Sequence, residues 1–286
     1  MIHSMTGYGK SVLQLPTKKI TIELKSLNSK NLDLNARMPS IYREKELGIR
    51  KLLAEKLVRG KVDFSIFVET TAEDTSTQIN TPVVKQYISQ LKNVVEGSSE
   101  IELLKMAVRF PDALNTVREE IDENEWKAIA DEINKAVDFI NNYRLNEGKV
   151  LEVDFNKRVA AISEILEQVI AIDPERIEAV RERLNKGVAD LKEKYDENRF
   201  EQELVYYIEK FDITEEKVRL KNHLNYFIET LNSKDSNGKK LGFIGQEMGR
   251  EINTIGSKSN YAPMQQLVVQ MKDELEKIKE QLLNVL

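Results

Sequence analysis

The chain has 286 residues, with 43 Lys and Arg against 48 Asp and Glu, two histidines and no cysteine. The missing cysteines exclude disulfide scaffolds, thiol nucleophiles, zinc fingers and iron–sulfur sites, and two histidines exclude a three-histidine metal centre. The net charge of −5 hides an asymmetry, because residues 1–61 hold 13 basic and 5 acidic side chains while the rest holds 30 and 43.

The first third alternates in period two, as half-buried strands do. Ile20, Ile22 and Leu24 form one such run, Leu32, Leu34, Ala36 and Met38 a second, and Val62, Phe64, Ile66 and Val68 a third. Between the last two, a helix is expected after Pro39, with Ser40 as N-cap, Leu47, Leu52, Leu53 and Leu57 on its apolar side and Gly60 at its C-cap. Strands, helix and strand in this order make an α+β module.

After the Thr/Ser-rich stretch Thr70–Thr77 the pattern is helical almost throughout. The acidic run Arg118–Glu125 reads as a loop or helix start, and residues 126–170 as helix interrupted at Glu147-Gly148. Asp173-Pro174 is expected to break it before a second amphipathic helix marked by Ile177, Val180, Leu184, Val188, Leu191 and Tyr195. At the end, Met264, Met271 and Ile278 recur every seven residues, as do Val268, Leu275 and Leu282. Such a heptad stripe serves either intramolecular packing or a subunit contact. The division expected is residues 1–155 as a basic α+β domain, 156–200 as connecting long helices and 201–286 as a C-terminal helical domain. No apolar run approaches the roughly 20 residues of a membrane helix, and no apolar core of a signal peptide follows Met1. A cytoplasmic protein is therefore expected.

Two constellations carry chemistry. Asp212, Glu216, Arg219 and His223 stand at i, i+4, i+7 and i+11, one helical face that joins two carboxylates, a guanidinium and an imidazole. The competing reading is structural: Asp212 with Glu215 matches a capping box, and Glu216 with Arg219 a surface ion pair. In Gly238–Lys258 the apolar stripe is Leu241, Ile244, Met248, Ile252 and Ile255. Gln246, Arg250, Asn253 and Ser257 share one polar face, and Glu247, Glu251, Thr254 and Lys258 the adjoining one. Amides and short hydroxyls are weaker helix formers than Lys or Glu, so a merely solvated helix gains little from them; the competing reading is an unusual but structural helix packed on its neighbours. Nearer the start, Ser26–Leu32 and Arg59-Gly60-Lys61 place cations and amides at strand ends, where phosphates could be held; the alternative reading of these segments is a turn and a helix cap.

Taken together, Met5-Thr6-Gly7-Tyr8-Gly9, the Asn28–Pro39 stretch, Leu57–Val62, Arg199–Leu204, the Asp212–His223 face and above all Gly238–Lys258 resemble the YicC/YloC family of bacterial endoribonucleases. The resemblance implies an α+β N-terminal region and a helical C-terminal region. It also implies a homo-oligomer, a hexamer among its forms, that encloses RNA and cleaves it with a divalent metal, manganese or magnesium. On that basis His223, Glu247, Arg250 and Lys258 are the expected catalytic residues, with His223 as general acid or base. Glu203, Asp212, Glu216 and Glu247 are the expected metal ligands. Lys30, Arg37, Arg59, Lys61, Arg219, Gln246, Asn253 and Ser257 are expected to hold RNA. The alternative is a non-catalytic RNA-binding adaptor that presents RNA to another nuclease.

Overall fold

The alternating stretches pair into one sheet in the computed structural model, which describes residues 2–70, 77–94, 97, 99–116, 121–189, 197–233 and 236–286. Strand β1 (Gly7–Gln14) pairs antiparallel with β2 (Lys18–Leu27), β2 antiparallel with β4 (Gly60–Thr70), and β3 (Leu32–Arg37) parallel with β4. The sheet order is β1-β2-β4-β3. In register, Ile20 opposes Val68, Ile22 opposes Ile66 and Leu24 opposes Phe64. This apolar face is covered by helix α1 (Glu46–Leu57), through Ile49, Leu53 and Leu57, and by Ile129, Ile133, Val137 and Ile140 of the long helix α4 (Glu123–Ala189). The opposite face of the sheet is open.

Strand β1 escapes the apolar-alternation test because its inward positions are Gly9 and Ser11. Helix α4 lies directly across them: a Cβ on Gly9 would fall on the Ala136 carbonyl, and Ser11 Oγ donates to Glu132. The expected Ser40 cap also differs. Residues Ser40–Lys45 form a 3-10 turn without a side-chain cap, and α1 follows it.

A small satellite follows the sheet. Short strands β5 (Thr77–Ile79) and β6 (Leu114–Thr116) pair antiparallel beside helices α2 (Thr81–Val94) and α3 (Glu100–Ala107), around Val84, Ala107 and Ala113. The sequence pattern missed these two strands, each only three residues long. Residues 71–76 of the Thr/Ser-rich stretch and 118–120 of the acidic run lie outside the described residues.

Helix α4 runs for 67 residues, about 100 Å at 1.5 Å per residue. Neither expected break occurs. Gly148 is there because the backbone of Ile2 crosses it, and a Cβ would land on the Ile2 carbonyl. Pro174 stays inside the helix although proline forfeits one helical hydrogen bond and crowds the preceding turn. Its neighbour Asp173 is buried and held by Arg176 at 2.8 Å and Lys217 at 2.7 Å, so tertiary ion pairs anchor the helix where its own bonding is weakest. Of the expected helix beyond it, Leu191 and Tyr195 lie outside the described residues. The first part of α4 packs on the sheet. Phe155, Val159, Ile162, Leu166 and Val169 pack instead in the helical bundle, so the expected boundary at 155 falls within one shared helix.

The bundle contains α6 (Thr214–Leu231), α7 (Gly238–Lys258) and α8 (Ala262–Leu282), with α5 (Glu197–Lys210) beside α4. The heptad residues Met264, Val268, Met271, Leu275, Ile278 and Leu282 are all buried in the core that α8 shares with α4, α6 and α7 of the same chain. That settles the heptad stripe as intramolecular packing. Gly249 and Gly256 of α7 face Leu275 and Val268 of α8 and let the two helices approach. Sheet and bundle are stitched together: Ser4 bridges Val285, Met5 N–H donates to Asn284 O at 2.8 Å, Leu286 N–H donates to His3 O at 2.9 Å, and the Asn28 amide donates to Leu283 O. Among the described residues, no helix is long and apolar enough to cross a membrane.

Candidate functional site

Helices α6 and α7 form a hairpin, and two contacts fix its antiparallel register. At one end Lys258 Nζ donates to Glu216 Oε1 at 2.7 Å and to the Asp212 carbonyl at 2.9 Å. Toward the other end, Lys240 Nζ sits over the Tyr226 ring, 4.6 Å from its centroid. By helical spacing, the polar flanks between these contacts carry Arg219 and His223 on α6 and Glu247, Glu251 and Thr254 on α7, and the packing of the two helices makes a seam of these flanks. His223 is half-buried on it, Glu251 is buried, and Glu247 is half-buried.

The seam forms because each helix has a wide apolar stripe with a polar flank. On α6 the stripe is Leu220, Leu224, Phe227 and Leu231; on α7 it is Leu241, Ile244, Met248, Ile252 and Ile255. When the stripes meet the core, the flanks come to lie side by side. Beyond the seam, Gln246, Arg250, Asn253 and Ser257 are exposed on the outer face of α7, as their spacing requires. Arg250 is held over Glu247 at 3.1 Å in an i, i+3 pair, and Thr254 Oγ1 and Ser257 Oγ donate to backbone carbonyls one turn back.

The expected pairing of Glu216 with Arg219 does not occur. Arg219 reaches Glu215 at 2.5 Å in solvent, and Glu216 turns inward to Lys258. Nor is there a reciprocal capping box. Asp212 Oδ1 accepts the Thr214 N–H at 3.1 Å and the Thr214 hydroxyl at 2.7 Å, while Glu215 is taken by Arg219. Those Thr214 hydrogen bonds hold the Asp212 carboxyl below its ordinary pKa range, against a smaller opposing effect of burial.

Behind the seam lies an ion network that sequence reasoning missed. Arg176, on α4 and buried, donates to Asp173 at 2.8 Å and to the Phe211 carbonyl at 2.8 Å; Lys217 of α6 completes the pairing with Asp173. Arg176 also donates to the Lys258 carbonyl at 3.5 Å, so the network joins α4, the turn before α6 and the end of α7. The one sequence signal was Asp173-Pro174, which read as a helix break because nothing local shows that two cations from elsewhere will reach Asp173.

The four expected metal ligands are not brought together. Glu203 is exposed on α5, Asp212 accepts from Thr214 just before α6, Glu216 is buried on Lys258, and Glu247 faces Arg250. Among the described residues, no three acids or imidazoles converge as a ready-made metal seat. On the seam flank of α7, Glu247 and Glu251 stand one turn apart, at i and i+4.

The N-terminal cations fall into two places. Lys61 and Arg37 point out from the open face of the sheet, with Lys61 opposite Asp33 and Arg37 opposite Ser65. Lys30 is exposed in the β2–β3 turn, and Arg59 Nε donates to Ser29 O at 2.9 Å, clamping that turn. Gly60 is not a helix cap. Helix α1 ends at Leu57 with Val58 as its C-cap, and Gly60 opens β4 at φ +124°, a conformation that L side chains rarely adopt. Against it lies Arg144, which was not anticipated. This buried guanidinium of α4 donates to Met5 O, Ser26 Oγ, Leu57 O and Arg59 O at 2.5–3.2 Å, and burial pulls its pKa down to about 10.

Comparison with known proteins matches residues 2–153 to the family described as "Endoribonuclease YicC-like, N-terminal region" and residues 169–286 to "Endoribonuclease YicC-like, C-terminal". A protein named "Probable endoribonuclease YicC" from Clostridioides difficile (strain 630) is 34% identical over 293 residues, covering all of both chains. Another of that name, from Haemophilus influenzae, is 28% identical over 287 residues, again covering all of both.

Proposed function

Because this chain belongs to the YicC-like endoribonuclease family, we propose that it cleaves phosphodiester bonds within RNA and uses the α6–α7 seam as its reaction surface. The observation that carries this reading is that α6 and α7 pack together, with the half-buried His223 on the polar flank of α6, Glu247 and Glu251 on a polar flank of α7, and the exposed amide, hydroxyl and guanidinium row of α7 beside them. Water adds to phosphorus, one P–O ester bond breaks, and a proton must leave the attacking oxygen and reach the departing one. An imidazole titrates near neutrality and suits that transfer. Arg219 and Arg250 steady the phosphate charge, and Gln246, Asn253 and Ser257 orient it by hydrogen bonds. Lys258 acts indirectly, since its ammonium is engaged by Glu216.

Lys30, Arg37, Arg59 and Lys61 hold more distant phosphates, so affinity falls steeply with salt. A divalent metal enters this proposal in one form. Magnesium-like ions are commonly held by one or two carboxylates together with substrate phosphates, and Glu247 with Glu251 is the pair that could share one with RNA, supplying neutralisation of phosphate charge. Enclosure of RNA by an assembly of like chains in the cytoplasm is part of the same proposal.

The test is a labelled structured RNA incubated with purified protein in magnesium, in manganese and in chelator, beside His223→Ala. Internal cuts that His223→Ala slows by about 10²–10⁴-fold support the reading. Cuts unaffected by chelator remove the metal, and intact RNA bound tightly after long incubation supports the adaptor reading instead.

A further inference from the structure

We propose that the solvent face of helix α4, where it passes from the sheet to the bundle, is a contact between two copies of this chain, the two α4 helices pairing antiparallel about a twofold axis at Asn146. The contact stands apart from the cleavage reading and gives the assembly of like chains one specific joint.

Phe139, Tyr143, Asn146, Val150 and Val153 stand at i, i+4, i+7, i+11 and i+14, the alternating steps of a coiled-coil seam, and so share one stripe about 21 Å long. The four apolar members are 54%, 50%, 69% and 70% exposed, and Asn146 is exposed between them. Scattered exposed apolar residues are ordinary. Four in one line on a helix are not, because the outer face of a surface helix is polar. The residues of α4 that pack on the sheet and the bundle, among them Ile133, Ile140, Phe155 and Val159, lie on its other side. Along the same line beyond Val153 come the exposed Lys157 and Glu164, which bound the stripe.

The occupant that fits this stripe is a second copy of itself. Asn146 is its midpoint, with Phe139 and Val153 seven residues to either side. An antiparallel pair therefore sets Phe139 of each copy against Val153 of the other and Tyr143 near Val150, a large ring against a compact β-branched side chain each time. The surface is self-complementary, as a twofold contact requires. Asn146 meets Asn146, and a polar residue at one seam position fixes register at some cost in stability. Charge selects the direction. Antiparallel pairing brings Lys157 of each copy within a turn of Asp138 of the other, both exposed, and the neighbouring Lys135 is already matched by Glu132 at 2.6 Å. Parallel pairing would set Lys157 against Lys157 and Asp138 against Asp138, and like charges brought together disfavour a contact.

The chain has no cysteine, so single introduced cysteines report the joint in the full-length protein, without RNA and in chelator. Under mild oxidation Asn146→Cys, at the axis, is expected to give a disulfide-linked dimer. Val153→Cys alone is not, whereas Val153→Cys mixed with Phe139→Cys is expected to give the mixed disulfide, because a disulfide needs the two Cα atoms within about 7 Å. Light scattering of the double variant Val150→Glu with Val153→Glu should show half the parent's mass, with self-association weakened about a hundredfold or more. Its circular dichroism should match the parent's, since both side chains are exposed in the single chain. A monomeric parent, an unchanged mass in the double variant, or no cross-link in Asn146→Cys overturns the proposal. Self-cross-linking of Val153→Cys overturns the antiparallel pairing. Should the double variant lose its fold, the Asn146→Cys cross-link decides. No readout involves RNA, so failure of this contact is distinguished from failure of the nuclease reading.

Discussion

The two halves of the molecule bury cations in opposite ways. In the sheet half, Arg144 is surrounded by neutral oxygens, three carbonyls and a hydroxyl, with no carboxylate among its hydrogen-bond acceptors, and its Nε has no partner. In the bundle half, Arg176, Lys217 and Lys258 are matched by Asp173 and Glu216. A guanidinium held by backbone carbonyls joins strand ends, the N-terminal segment and the Arg59 turn, and its role is architectural. Paired ions in the bundle serve a different end. They leave the seam flank of α6 and α7 fixed in position beside the half-buried His223 and the exposed amides of Gln246 and Asn253.

The contrast can be broken most forcefully at Arg144. Arg144→Met should destabilise the protein by about 3 kcal/mol or more, since several hydrogen bonds from a charged donor are lost and buried carbonyls are left unpaired. Chemical denaturation followed by circular dichroism checks this. Were Arg144→Met as stable as the parent, the architectural role would be wrong. In the bundle, Glu216→Ala breaks a pair whose ammonium is one-third exposed, so a loss of about 1–3 kcal/mol is expected rather than the larger value of a fully buried pair. A double-mutant cycle with Lys258→Ala should recover most of that as coupling; near-additive losses would show that the two side chains act separately.

Asp212 sharpens the comparison through pH. Its carboxyl is held below the ordinary value of 3.8 by Thr214, so its contribution is complete above that value and is lost as pH falls through the lower folded-state value. Asp212→Ala should therefore lower stability by about 1 kcal/mol at neutral pH and by progressively less in acid, read from melting curves between pH 7 and 2. The smallest effect on folding belongs to Arg250, whose side chain is 75% exposed. Arg250→Ala should leave stability within about 0.5 kcal/mol while weakening RNA binding and reducing its salt slope. A melting temperature that drops with it would return Arg250 to a structural role.

The sequence by itself determined what depends on local periodicity: the strand, helix, strand order, the burial of Ile20, Ile22 and Leu24, the buried stripe of α7, and the outward row Gln246, Arg250, Asn253 and Ser257. Spacing also placed His223 on the polar flank of α6. It missed β1, because the partner crossing it demands small residues where a strand ordinarily shows apolar ones, and it broke α4 twice where long-range contacts carry the helix through. Side-chain spacing along one helix offers several partners, so Glu216 with Arg219 looked as good as Glu216 with Lys258. Only the tertiary structure could choose, because burial removes water as a competitor and makes the distant ammonium, 42 residues away, the stronger partner. The same holds for the seam: two polar flanks are legible in the sequence, but their adjacency is decided by how α6 and α7 bury their apolar stripes against α4 and α8.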